Sequence, residues 1–163
     1  MARDIILNLA ISLDGFICDE DGGFAWIGGQ GDSRADTAEQ FDFDAFLASC
    51  DTIVMGRKAY EDCFSSLPEA AEKRFLVASR TPRAPEGNVV FLSADVVSEV
   101  LALKDRPGKH IWLFGGGELA SDFIRADAVD RYIVGILPVT RGKGLRLFQE
   151  GLPPVELHLD RCT

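Results

Sequence analysis

Four short segments carry residue types that can hold a phosphorylated ligand or touch a small substrate. Phe114-Gly115-Gly116-Gly117-Glu118-Leu119 follows an apolar run and opens a helical stretch. Glycines at such a junction let the backbone pass close to a diphosphate, and the first N–H groups of the helix attract its charge. The segment is neither GxGxxG nor a Walker A loop, since no Lys-Ser/Thr follows, and a plain tight turn would use the same triplet. Met55-Gly56-Arg57-Lys58-Ala59-Tyr60-Glu61 ends a second apolar run. Gly56 permits close approach there, and Arg57 and Lys58 fall where a helix N-terminus faces solvent, an arrangement that suits an anion or a solvated basic pair. Val77-Ala78-Ser79-Arg80-Thr81 ends a third run, and Ser12-Leu13-Asp14-Gly15 ends the first. An Asp-Gly pair makes a turn, and an aspartate entering a glycine-rich loop can also touch substrate. Open α/β sheets bind ligands beyond the C-terminal ends of their strands, so three phosphate-compatible turns at three such ends reinforce one another.

The elements that must position these segments are visible as pattern. Apolar runs cover Ile5–Leu13, Thr52–Met55, Phe75–Ala78, Val89–Leu92, Ile111–Phe114 and Tyr132–Leu137. Most are continuous rather than alternating, as strands covered on both faces require. Helices are expected over Thr37–Ser49, with Phe41, Ala45, Phe46 and Leu47 to one side, over Asp95–Lys104, with Val96, Val97, Val100 and Leu101 in one stripe, and over Glu118–Arg125. Ser93 suits the cap of the second, and Pro107-Gly108 its stop. Strand and helix in alternation predict an α/β fold with a mainly parallel sheet. Residues 18–36 fit no regular element. They hold Gly22, Gly23, Gly28, Gly29 and Gly31, six glycines with Gly15 just before. So long a loop commonly acts as a lid over a site. Residues 138–148 are again rich in Gly, Arg and Lys.

Size and charge narrow the function classes. At 163 residues the chain reads as one domain, 1–163, with 47% apolar and 26% charged residues, as globular proteins have. A net charge of −9 and a pI near 4.7 argue against a nucleic-acid or anionic-membrane surface, because both need clustered Lys and Arg. No apolar run approaches the roughly 20 residues that span a bilayer, and the N-terminus has no signal-peptide pattern. Cys18, Cys50, Cys63 and Cys162 form no CxxC pair, which suits reduced thiols in the cytoplasm. With only His110 and His158, metal and His-triad chemistries have little to work with, and no metal site is expected. Trp26, Phe41 and Phe46 offer faces for a planar substrate, Trp26 foremost because it lies in the long loop. Arg141 and Lys143 can hold a substrate phosphate or stand as a solvated basic loop.

Taken together, ISLDGFI (Ile11–Ile17), TIVMGRKAYE (Thr52–Glu61), FLVASR (Phe75–Arg80), IWLFGGGELASDFI (Ile111–Ile124) and VDRYIVGILPV (Val129–Val139) resemble the dihydrofolate reductase-like superfamily. Within it they are most similar to the reductase domain of riboflavin-biosynthesis deaminase–reductases and its stand-alone bacterial relatives. The resemblance runs from Ile5 to about Leu159. It implies a three-layer α-β-α fold with a mainly parallel mixed sheet, NADPH as cofactor, and hydride transfer to a small heterocyclic substrate.

The resemblance also implies residue roles. Gly56, Arg57 and Lys58 would meet the diphosphate and the adenosine 2′-phosphate, and Ser79 and Arg80 that same phosphate. Phe114, Gly115, Gly116, Gly117, Glu118 and Leu119 would lie under the diphosphate and nicotinamide side, which Ala10 and Ile17 would line. Forked guanidinium donors hold phosphate oxygens well, so Arg57 with Arg80 favours NADPH over NADH. Asp14 would contact substrate or relay a proton, with Asp42 or Asp44 as the second acid, and Trp26 and Arg141 would contact substrate.

Departures qualify this picture. Ala59 stands where dihydrofolate reductases commonly have Thr. Counting back from Met55 to the family's folate-binding acid lands on Gln40, with Asp42 and Asp44 nearby. No H-x-E with P-C-x-x-C marks a deaminase half. Relatives usually carry a further strand after the Val155–Leu159 segment, which leaves the sheet edge shortened or completed by a partner; a homodimer is expected. Folate reduction, and a non-catalytic nucleotide-binding dimer on the same fold, are the alternatives.

Overall fold

In the computed structural model, residues 3–28, 40–67 and 72–163 are described. Among them the elements run β1 (Ile5–Ser12), β2 (Phe16–Cys18), α1 (Phe43–Ser49), β3 (Cys50–Gly56), α2 (Arg57–Cys63), β4 (Arg74–Ala78), β5 (Val89–Leu92), α3 (Val96–Leu101), β6 (His110–Gly115), α4 (Gly117–Arg125), β7 (Arg131–Leu137) and β8 (Leu145–Arg146). Six strands form one sheet in the order β5-β4-β3-β6-β1-β7, and every pairing in it is parallel. The six apolar runs of the sequence are its six strands. The antiparallel component is a separate ribbon, β2 against β8.

Continuous apolar strands need cover on both faces, and the helices supply it. Val100 of α3 and Ala120, Phe123 and Ile124 of α4 pack with Ile5, Leu7, Val54 and Leu113 on one face. Phe46 and Leu47 of α1, with Tyr60 and Cys63 of α2, pack with Ile53, Met55, Phe75 and Trp112 on the other. The result is three layers. Phe123, Phe75, Ile53 and Leu113 are fully buried, each worth roughly 1.5–3 kcal/mol by removal from water. Below the strands' N-terminal ends, buried Arg3 donates to Asp51, to Thr52 Oγ1 at 2.9 Å and to the Lys109 carbonyl at 2.6 Å. That clamp joins β1, β3 and β6 and holds their register.

Two helices are shorter than the periodicity predicts, and capping explains both. Helix α1 starts at Phe43, because the Asp42 side chain accepts the Ala45 N–H at 2.8 Å while its own backbone stays extended. The earlier part of the expected helix, 37–39, lies outside the described residues. Helix α3 is capped by Asp95 rather than Ser93, the carboxylate accepting the Ser98 N–H at 3.1 Å, and it ends at Leu101. An N-cap acceptor must lie within reach of the third N–H beyond it, and Asp95 does.

Candidate functional site

One open cleft of about 2810 Å³ runs from the C-terminal strand ends along the sheet, past Asn8 and Trp112, to His110, Arg131 and the C-terminal tail. Register brings three of the sequence's turns to one rim: Gly56 pairs with Ala78, and Met55 with Gly115. A Cβ on Gly56 would stand 3.9 Å from the Gly115 oxygen and Gly116 nitrogen, whereas one on Gly116 would meet nothing within 4 Å. The strand ends thus form a floor of bare backbone facing open space. Gly115 has φ +102°, a region that side chains avoid, and the Gly115–Gly116 peptide is cis.

Above that floor stand Arg57, Lys58 and Arg80, all solvent-facing, Arg80 at 93% exposure. Each carries an acidic partner: Glu61 at 3.0 Å, Asp62 at 3.0 Å and Glu118 at 3.3 Å. The hydrogen bond and charge of Asp62 raise the Lys58 pKa above the ordinary ammonium value. Exposed pairs of this kind are weak, so a phosphate can displace the carboxylates. Ser79 is buried; its hydroxyl donates to the Thr81 carbonyl at 2.8 Å and accepts the Thr81 N–H at 3.3 Å, which shapes the turn that presents Arg80. Bare backbone, the nine-residue helix α4 opening at Gly117 and three rim cations together fit an anionic dinucleotide.

The other half of the cleft is aromatic. Phe43 and Phe46 meet Trp112 edge-on at 5.7 and 5.4 Å, and Phe114 lies 5.1 Å from Trp112. The floor there is the face of β1 and β7, where Asn8 pairs with Ile133 and Ala10 with Gly135. Ala10 and Gly135 make that floor flat enough for a ring. Of the residues expected to hold the cofactor, all but Gly115 line this cleft: Ala10, Ile17, Gly56, Arg57, Lys58, Ser79, Arg80, Phe114, Gly116, Gly117, Glu118 and Leu119.

The residues expected at the substrate come together elsewhere, behind the cleft wall. Asp14 Oδ1 accepts the Ser12 hydroxyl at 2.6 Å and the Arg141 N–H at 3.0 Å; its Oδ2 accepts the Arg141 N–H at 3.1 Å and the Gly142 N–H at 2.8 Å. The Ser12 hydroxyl first, then the Gly142 and Arg141 amides, hold its pKa down at about 2 against the effect of burial. These contacts hold Asp14 in its anionic form. The Arg141 guanidinium forks onto Asp19 at 2.9 and 2.5 Å and stands 5.7 Å from the Trp26 ring. The Arg141 charge is thus answered by Asp19. Trp26 packs on Arg141, and Phe24 and Ile27 take the wall positions instead. Lys143 pairs with Glu20 at 2.8 Å, Arg146 donates to the Asp14 carbonyl at 2.8 Å, and the β2–β8 ribbon closes the set. Asp14, Trp26 and Arg141 thus build a strap joining the two glycine-rich loops. The part of the long loop at 29–36 lies outside the described residues. Asp42 does line the cleft, but its carboxylate caps α1. Asn8, Phe43 and Trp112 went unmarked in the sequence, although the alternation Ile6-Asn8-Ala10 signals a distinct face of β1.

Burial raises the thiol pKa values of Cys18, Cys50 and Cys63, and all four cysteines are free. Among the described residues no cluster of His, Cys, Asp or Glu could hold a metal ion, and no helix is long and apolar enough to cross a membrane.

The sequence profile of the RibD C-terminal domain matches residues 3–163. A curated relative, YwjB of Bacillus subtilis, is 32% identical across 98% of this chain and 90% of its own length. A riboflavin biosynthesis protein of Shewanella superposes with a TM-score of 0.79 at 24% identity, over 99% of this chain and 90% of that one. The diaminohydroxyphosphoribosylaminopyrimidine deaminase/5-amino-6-(5-phosphoribosylamino)uracil reductase of Thermotoga maritima superposes with a TM-score of 0.62 at 18% identity, over 94% of this chain and 51% of that one. Dihydrofolate reductase of Enterococcus faecalis, solved with NADP(H), gives 0.63 at 15% identity, over 91% and 80%. These likenesses establish the α/β fold of the dihydrofolate reductase type.

Proposed function

This chain belongs to the RibD C-terminal domain family, and from that premise we propose that it is an NADPH-dependent reductase transferring a hydride to a small heterocyclic substrate of the riboflavin-pathway kind. The observation that carries the reading is the convergence of Gly56, Gly116, Arg57, Lys58 and Arg80 on one rim of a cleft whose other half is aromatic. The dinucleotide, when bound, supplies the hydride from nicotinamide C4.

The chain's own residues position and shield. Gly56 and Gly116 admit the diphosphate to the backbone, while Arg57, Lys58 and Arg80 hold its charge and the 2′-phosphate. Ala10, Ile17 and Leu119 keep the nicotinamide against the β1 face, next to the aromatic half where the second ring stacks. Asp14 acts as a positioning residue: it fixes the backbone of Arg141 and Gly142, and with them the strap beside the cleft. Folate reduction fits less well, since Asp42 already has the α1 cap as its partner.

Free cysteines agree with a reducing cytoplasm. The outer edge of β7 has no strand partner among the described residues and leaves Ile136 62% exposed, which supports a homodimer covering that edge.

The test is a titration with NADPH and with NADH, read by tryptophan fluorescence. NADPH binding about tenfold tighter, or about 1.4 kcal/mol, is expected, and Arg80→Ala should abolish the preference. Binding of neither nucleotide refutes the reductase.

A further inference from the structure

The three ion pairs of the rim differ in what they span. Arg57–Glu61 and Lys58–Asp62 each lie one turn apart on α2. Arg80–Glu118 joins separate elements, because Arg80 follows β4 and Glu118 is the second residue of α4, which follows β6. In the sheet β3 lies between β4 and β6. Neighbouring strands stand about 4.8 Å apart, so the bridge reaches about 10 Å past the end of β3, where Gly56 lies.

Helix α4 adds a second observation. Its N-cap, Gly116, supplies no side-chain cap, and the Ala120 N–H donates to the Gly116 carbonyl at 2.9 Å. The first turn of a helix leaves its N–H groups without intrahelical partners and attracts negative charge. Glu118 lies in that turn, and its carboxylate accepts from the Arg80 guanidinium at 3.3 Å. A phosphate arriving at this rim therefore meets Arg80 already engaged by an anion that the chain itself supplies.

We propose that Glu118 is an internal competitor for Arg80, restraining the affinity for a 2′-phosphorylated nucleotide and taking the guanidinium back as that nucleotide leaves. Arg80 has one guanidinium for two anions. A ligand that brings a phosphate ester to Arg80 must break the bridge and then lie beside the freed carboxylate, which repels it. A ligand with a 2′-hydroxyl makes no claim on Arg80 and leaves the bridge in place. The carboxylate thus weakens binding of NADPH and not of NADH, and it narrows the preference that the rim cations create. The inference rests on the reductase reading, since it takes the 2′-phosphate as the group that Arg80 meets.

The test measures dissociation constants of NADPH and NADH at low ionic strength by tryptophan fluorescence. Exposed ion pairs are weak, so Glu118→Gln should tighten NADPH about threefold to fivefold and change NADH less than about 1.5-fold. Most of the gain should appear as slower NADPH dissociation in stopped flow. Asp122→Asn removes the same charge one turn further along α4, from a carboxylate paired with Arg125, and should change NADPH affinity less than about 1.5-fold. In an Arg80→Ala background Glu118→Gln should have no effect, and in about 0.5 M salt the gain should disappear. The proposal is overturned if Glu118→Gln leaves NADPH affinity unchanged or lowers it, if Asp122→Asn or the Arg80→Ala background shows the same gain, or if NADH gains as much as NADPH. NADPH binding that Glu118→Gln does not alter refutes the competitor and keeps the reductase; absence of NADPH binding in every variant refutes both.

Discussion

Substituting Gly144 by alanine should loosen the strap without unfolding the sheet, and a neighbouring glycine supplies the control. Gly144 has φ +138°, and a Cβ there would lie 2.2 Å from the Cys18 carbonyl oxygen and 3.3 Å from the Asp19 Cα. Both are backbone atoms, so no side chain can swing aside. Gly142, two residues earlier, also has positive φ, +74°, but a Cβ there meets nothing within 4 Å. Each alanine would incur about 1–2 kcal/mol for its left-handed backbone. Gly144→Ala adds an overlap of roughly an ångström against main chain, worth about 1–3 kcal/mol in a packed site. The difference of about 2 kcal/mol corresponds to a factor of about 30 in the opening equilibrium. Amide hydrogen exchange reads it directly. The Leu147 N–H donates to the Gly15 carbonyl at 3.1 Å, the Gly142 N–H to Asp14 at 2.8 Å, and the Asp19 N–H to the Gly23 carbonyl at 2.8 Å. These three amides should exchange about 30-fold faster in Gly144→Ala than in Gly142→Ala, while the amides of β3 and β4 keep their protection. Equal acceleration in the two variants would show that the Gly144 contact with Cys18 does not hold the strap.

The Asp14 carboxylate has a folded pKa of about 2, below the ordinary 3.8, so its contribution is complete above pH 4 and vanishes as pH falls through 2. Urea midpoints should therefore separate the wild type from Asp14→Asn at pH 6 and converge toward pH 2; a gap independent of pH would contradict the assignment. Phe123→Ala empties a fully buried site between α4 and the sheet and should lower unfolding free energy by about 3–5 kcal/mol by denaturant titration, with a loss under about 1 kcal/mol counting against the packing described. Trp26→Phe should leave NADPH affinity within about twofold, because Trp26 faces Arg141; a drop beyond about tenfold would place Trp26 at the bound nucleotide.

What could be read from sequence, and what could not, divides by the distance over which each role is decided. The six strands were legible because a run such as Ile53-Val54-Met55 needs cover on both faces wherever it lies. The gathering of the glycine and basic turns on one rim was legible for a similar reason. Glycine and Arg/Lys at a strand end act through backbone clearance and a solvent-facing charge, both local properties, and the parallel register then brings Gly56 beside Gly115. The surroundings of the other expected residues were not legible, because they are decided by competition between distant segments. Arg141 is a cation in any sequence, but only the fold shows that Asp19, 122 residues away, is its partner. Asp42 lies near where a folate acid would be sought, and the Ala45 N–H takes it for a helix cap.

Asp14 and Asn8 mark the two extremes of this competition. A carboxylate has about four lone-pair sites. Those of Asp14 receive the Ser12 hydroxyl, the shared Arg141 N–H and the Gly142 N–H, the latter two from more than a hundred residues along the chain. The fold thus engages both of its oxygens, which the residue type and its place after β1 did not reveal. Asn8 lies inside the run from Ile5 to Leu13, and only the fold shows that its backbone carbonyl takes the indole N–H of Trp112, 104 residues away. Which polar groups a fold satisfies is settled by contacts between segments far apart in the chain, and the surroundings of Asp14 and Asn8 both show it.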